Sequence, residues 1–66
     1  MTKADVAKLR VGSEFADVFF HTPQRVVKID GIMYECKVIH EDGSLSAGSE
    51  WFVPSHFDEY YEVIKF

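Results

Sequence analysis

The side chains able to do chemistry in this chain are three histidines, one cysteine, eleven carboxylates and ten aromatic rings (one Trp, three Tyr and six Phe). His21, His40 and His56 lie 19 and 16 residues apart, without the close HxxxH spacing that sets two imidazoles on one ion. His40 with Asp42, and His56 with Asp58, could each offer two ligands, yet loop histidines beside carboxylates are common for reasons of solubility. Cys36 could be drawn beside a histidine as nucleophile and base. Its parity groups it instead with Ile32, Tyr34 and Val38 on the inner face of a strand, where a thiol is inert. The glycines at 12, 31, 43 and 48 sit at turns, and no Lys-Ser/Thr pair follows any of them to make a phosphate loop. The expectation is therefore no catalytic residue, no metal, no cofactor and no enzymatic activity.

The rings are more informative. Six of the ten fall in the last sixteen residues: Trp51, Phe52, Phe57, Tyr60, Tyr61 and Phe66. Successive residues of a strand point to opposite faces, so one of Trp51 and Phe52, and one of Tyr60 and Tyr61, should be exposed. Rigid rings with polar tips among Glu50, Asp58, Glu59 and Glu62 have the composition of a protein-binding hot spot. The candidate protein-binding residues are Trp51, Phe52, Phe57, Asp58, Glu59, Tyr60 and Tyr61. A small domain that fills its core with large rings accounts for part of the same composition.

Charge narrows the choice of partner. The net charge is -4, with residues 1–34 at +1 (five bases, four acids) and residues 35–66 at -5 (two bases, seven acids). That is the wrong sign for a protein that gains affinity by neutralising phosphates. A basic stripe of Lys3, Lys8, Arg10, Arg25 and Lys28 could still serve a nucleic-acid-binding barrel, but most rings lie in the acidic half. A basic protein surface is the better match, with solubilising charge the plainer explanation. No stretch approaches the roughly 18 apolar residues of a membrane span, and MTKADVAKLR lacks the apolar run of a signal peptide. One thiol with no disulfide partner fits a reducing cytoplasm.

These side chains must be positioned by a single domain of 66 residues. A chain of this size has about 3 to 10 kcal/mol of stability at hand. Residues 1–11 read as a short helix or arm: Thr2 and Asp5 have capping-box spacing, Val6 and Leu9 share a face, and Gly12 can stop the helix in the left-handed conformation. From Glu14 onward the pattern changes from a helical repeat to alternation, and residues 13–66 are assigned to the β-barrel. Asp30-Gly31, suited to a type I′ turn, and Asp42-Gly43 separate β-rich runs and predict an antiparallel meander with strands near 24–29, 32–41 and 44–53. Val27 and Ile29 should share the inner face of the first run, and Gly48 should bulge or break the last. Residues 15–20 and 62–66 are the flanking strands, and Pro54-Ser55 starts a single 3₁₀ turn before the last one. Five short strands shield their edges most economically by rolling into a barrel.

The order of elements over residues 13–66 resembles the SH3-like barrels. Trp51-Phe52-Val53-Pro54-Ser55-His56-Phe57 is similar to the W-x-P-S-N-Y segment that closes SH3 domains, with Pro54, Ser55 and Phe57 at the Pro, Ser and Tyr places. His56 replaces Asn, and one extra residue separates Trp51 from Pro54. The resemblance implies a mainly β, five-stranded antiparallel barrel with a 3₁₀ turn before its last strand. It does not imply polyproline recognition, because Phe15-Ala16-Asp17-Val18-Phe19 departs from the ALYDY pattern and the segment on to Arg25 is too short for a full RT loop. The chain is also similar in style to the small SH3-like proteins of bacteriophages and mobile elements, many of which bind one host protein. Together these readings describe a non-enzymatic module that docks on a larger protein and modulates or inhibits it. The alternatives are a nucleic-acid-binding barrel and a homo-oligomeric accessory subunit, and the chain itself would be a monomer or a homodimer.

Overall fold

The computed structural model describes all 66 residues. It contains α1 (Lys3–Lys8), β1 (Glu14–Asp17), β2 (Pro23–Asp30), β3 (Met33–Val38), β4 (Glu50–Phe52), a 3₁₀ turn (Pro54–His56) and β5 (Tyr61–Lys65). The five strands form one antiparallel sheet in the order β4-β3-β2-β1-β5. The fold is mainly β, with the expected short helix at one end of the chain and the 3₁₀ turn before the last strand.

Hydrogen bonds do not close the sheet into a barrel. β4 and β5 are its two edges and do not pair with each other. Side chains span the seam instead: the rings of Phe52 on β4 and Tyr61 on β5 meet edge to face with centroids 5.5 Å apart, and Phe57 stacks on Phe52 at 4.9 Å. β4 is only three residues long and its ladder is with β3 alone. The strand expected over 44–53 is reduced to an isolated Ile39–Leu45 bridge, an irregular stretch around Gly48, and three residues of true strand. In that stretch Ser46 replaces ladder bonds with its own, its hydroxyl accepting from Val38 N at 3.1 Å and donating to Gly48 O at 2.9 Å.

The capping box forms as expected, Thr2 Oγ1 accepting from Asp5 N and Asp5 Oδ2 from Thr2 N, each at 3.1 Å. Those two bonds satisfy amides that a helix start otherwise leaves free. α1 docks through Met1, Val6 and the buried Leu9. It ends earlier than expected, where Leu9 turns extended, and Gly12 uses its positive φ (99°) to lead into β1.

The β2–β3 hairpin carries two corrections, one at its turn and one in its register. Asp30 pairs with Met33, so the loop residues are Gly31 and Ile32, and positive φ at Gly31 alone is the type II′ pattern. Ile32 sits exposed at this tip and leaves the inner face on which alternation had placed it. On β2 the inward residue is Val26, fully buried, and not Val27. A register shift between Val26 and Lys28 puts Val27 out of step and returns Ile29 to the core.

Six residues form the core: Leu9, Phe15, Val26, Cys36, Phe52 and Phe57. Phe15 is its centre, meeting Phe52, Phe57 and Tyr61 edge to face at 5.4, 5.2 and 5.7 Å. Such pairs add about 0.5 to 1.5 kcal/mol each beyond the area they bury. The two ends of the chain are tied together where Phe66 O accepts from Arg10 Nε at 2.9 Å and from the buried Ser13 hydroxyl at 3.0 Å.

Candidate functional site

β1 stops at Asp17 because the Asp17 side chain competes for the backbone that would extend it. Its carboxylate accepts from Phe20 N at 2.6 Å and Thr22 N at 2.9 Å. Those bonds, the Phe20 amide first, hold the carboxyl below the usual carboxylate range. His21 takes a positive φ of 56° to complete the turn, its amide donating to Asp17 O. The tight loop drives two rings into solvent, Phe19 at 66% and Phe20 at 85% exposure.

A second turn faces this one. After the 3₁₀ turn, Asp58 Oδ1 accepts from Tyr60 N at 2.9 Å and Asp58 O from Tyr61 N at 3.2 Å, which points Tyr60 outward and Tyr61 toward the core. Val18 N donates to Tyr60 O at 2.9 Å and locks the two turns together. The Phe19 and Tyr60 rings then lie against each other, 5.3 Å apart and tilted by 31°. Beside them, along the seam between β4 and β5, runs a groove of about 470 Å³ with Phe52 and Tyr61 in its wall and Asp17, Glu50 and Asp58 on its rim.

The seven residues expected to form one binding surface do not do so. Phe52 and Phe57 are buried at 2% and 3% exposure and belong to the core, a correction that follows from their filling the open seam. Trp51 is exposed, but it projects from the other face of β4, paired across the ladder with Glu35, and does not line the groove. Asp58, Glu59 and Tyr60 are exposed on the turn after the 3₁₀ segment, and Tyr61 is half-buried. Thus Trp51 and Tyr60 are the outward members of their pairs. Phe19 and Phe20 were missed, because residues 15–20 read as continuous strand. The available signal was an Asp three and five residues before amides it could cap, just ahead of Thr22-Pro23.

The reactive groups are separately accounted for. Cys36 is fully buried, and burial, followed by the charges of Glu50 and Glu35, pushes its thiol up to about 12. No three His, Cys, Asp or Glu side chains are grouped to hold a metal ion. Of the basic stripe, Arg25 pairs with Glu14 at 3.0 Å, Arg10 is bonded to the chain's last carbonyl, and Lys8 lies over the Phe66 ring at 5.7 Å. No helix is long and apolar enough to cross a membrane.

The molecule is thus a small open-sheet β domain in which two exposed rings, Phe19 and Tyr60, and the carboxylates of Asp17 and Asp58 gather where two turns meet. No family model, no curated protein and no solved structure matches the chain.

Proposed function

We propose that this chain is an SH3-like protein-binding module that docks on a larger protein bearing a basic surface and modulates or inhibits it by occupying that surface. The observation that carries this reading is the pairing of Phe19 and Tyr60, two exposed rings held on turns that are locked by backbone bonds and bordered by carboxylates. Rigid rings give contact area at a small cost in side-chain entropy, the usual basis of a hot spot. The SH3-like assignment is supported by the strand order, with β5 returning beside β1, and by the 3₁₀ turn ahead of β5. Polyproline binding is not part of the proposal: the hollow beside Tyr34, Pro54 and Phe57 is walled by Met1, Val6 and Ala7 of the helical segment. Binding rather than catalysis suits a chain whose one thiol is buried and protonated, and a reducing cytoplasm suits that free thiol. In an affinity capture from the lysate of a host cell, the wild type should retain one dominant protein that Tyr60→Ala and Phe20→Ala, each shown to be folded, fail to retain. Equal recovery by all three proteins would overturn the reading.

Self-association through the β5 edge is the second reading. The exposed Val11, Ile64 and Phe66 side chains lie on or near this edge strand, whose outer side is unpaired. Light scattering at two concentrations separates a monomer from a concentration-dependent dimer.

A further inference from the structure

We infer that the seam groove between β4 and β5 is a receptor for one basic side chain of the protein partner, an arginine by preference. The inference rests on the docking reading and names the chemistry of its contact.

The groove combines rings with charge of a single sign. Its wall includes Phe19, Tyr60 and Tyr61, and its rim carries Asp17, Glu50 and Asp58 with no lysine or arginine. His56, the one other titratable group there that could be cationic, is spent as an acceptor: its Nδ1 takes the Val53 amide at 3.2 Å. The three carboxylates act jointly on the groove. After burial, it is Glu50, Asp17 and Asp58 that raise the Tyr61 hydroxyl above its ordinary value. Two of the three retain acceptor capacity toward a visitor, since Asp58 binds a backbone amide through Oδ1 alone and Glu50 binds Gln24 Nε2 through Oε1 alone, at 3.1 Å.

Glu50 also borders the adjoining hollow, which is lined by Gln24. Gln24 is only 7% exposed, and its Oε1 is buried without a hydrogen-bond partner while its Nε2 is engaged by Glu50. That unpartnered acceptor lies in the hollow beyond Glu50 and outside the groove, whose own acceptors are the free carboxylate oxygens of Glu50 and Asp58. The site therefore presents acceptors and π faces and lacks a charged donor of its own. A guanidinium meets both demands: it stacks flat on rings and forks its N–H groups onto carboxylates, whereas an ammonium does only the second well. The volume lies within the range of ordinary ligand clefts, so a side chain enters from a partner's surface without displacing the core.

The test is a titration of the isotopically labelled full chain, followed by amide NMR at low salt, with blocked Gly-Gly-Xaa-Gly-Gly peptides up to low-millimolar concentration. Xaa is arginine, lysine, citrulline or leucine. The arginine peptide should move the amides of Phe19, Asp58 and Tyr60 saturably, lysine less, and citrulline and leucine not at all. The isosteric pair Glu50→Gln with Asp58→Asn, checked by its melting curve, should abolish the shifts, as should high salt. Equal shifts with citrulline, shifts that survive the double variant, a stronger response to lysine, or no localised shift with arginine would each overturn the inference. Partner capture separates this failure from failure of the docking reading. Recovery lost in Tyr60→Ala but kept in the Glu50→Gln/Asp58→Asn protein would leave docking standing and remove the cation, whereas recovery kept in both would remove docking itself.

Discussion

Phe15 and Phe19 are four residues apart on one segment, yet one is the centre of the core and the other is two-thirds exposed. Around Phe15 the rings of Phe52, Phe57 and Tyr61 pack edge to face and fill a seam that backbone bonds leave open. Around Phe19 only Tyr60 is in ring contact, and Phe20 beside it is almost bare. The contrast teaches that in a domain this small the same side chain is buried or exposed according to whether strand pairing or a side-chain cap governs its backbone. β1 holds Phe15 inward; the Asp17 carboxylate ends that strand and turns Phe19 and Phe20 out.

The sharpest way to break the comparison is to remove a ring from each cluster. Phe15→Ala should cost about 3 to 5 kcal/mol, the usual loss for a buried Phe. Against a total of about 3 to 10 kcal/mol, that leaves little or no folded protein, and near-ultraviolet dichroism and thermal melting would read it directly. A melting curve close to wild type would mean that Phe15 is not the keystone.

Next in size is an alkaline effect confined to the core. The folded Cys36 thiol stands near 12 against an ordinary 9.0, so its contribution is fully present below about pH 9 and is lost as pH rises toward 12. Urea midpoints measured across that window should fall more steeply for wild type than for Cys36→Ala. Parallel curves would show that the thiol is not desolvated.

A smaller loss is expected where α1 meets the core. Thr2→Ala removes one half of the capping box and should cost about 1 kcal/mol, with Val6 and Leu9 losing part of their support. An unchanged midpoint would mean that docking, not capping, holds the helix.

The smallest stability effect belongs to the exposed cluster. Phe20→Ala should change stability by no more than about 0.5 kcal/mol while abolishing partner recovery, the reverse of what a core ring does. Acid should loosen the same turn. Asp17 is held below its ordinary value of 3.8 by the Phe20 and Thr22 amides, so those bonds are at full strength above that pH and are lost as pH falls through the lowered value. The amide shifts of Phe20 and Thr22 should titrate together with a midpoint below 3.8, and Asp17→Asn should remove the transition.

Local chemistry was open to reading in the chain itself. Thr2 and Asp5 specify their capping box within four residues, Gly31 a hairpin turn within two, and Pro54 the 3₁₀ start, because each outcome depends on φ preferences and hydrogen bonds between near neighbours. Alternation likewise showed that Trp51 and Phe52 must part, and Tyr60 and Tyr61 too. The candidate site was less legible. Its acidic and aromatic half was evident, but Phe52 and Phe57 were placed on the surface and Phe19 and Phe20 within a strand.

What remained for the tertiary structure was everything that depends on distant partners. The shift at Val27 comes from the register of β2 on β3, which exchanges Val27 for Val26 in the core. The open seam comes from the shortness of β4, for which aromatic packing substitutes. The groove exists because Val18 bonds to Tyr60, bringing Asp17 beside Asp58, 41 residues further along the chain, together with Phe19. Where a helix is capped or a hairpin turns is settled by a few neighbouring dihedrals and hydrogen bonds, so the sequence alone determines it. Which ring of a pair is buried, and which carboxylates share a cleft, follows from long-range register and packing, and those are settled only when the whole chain has folded.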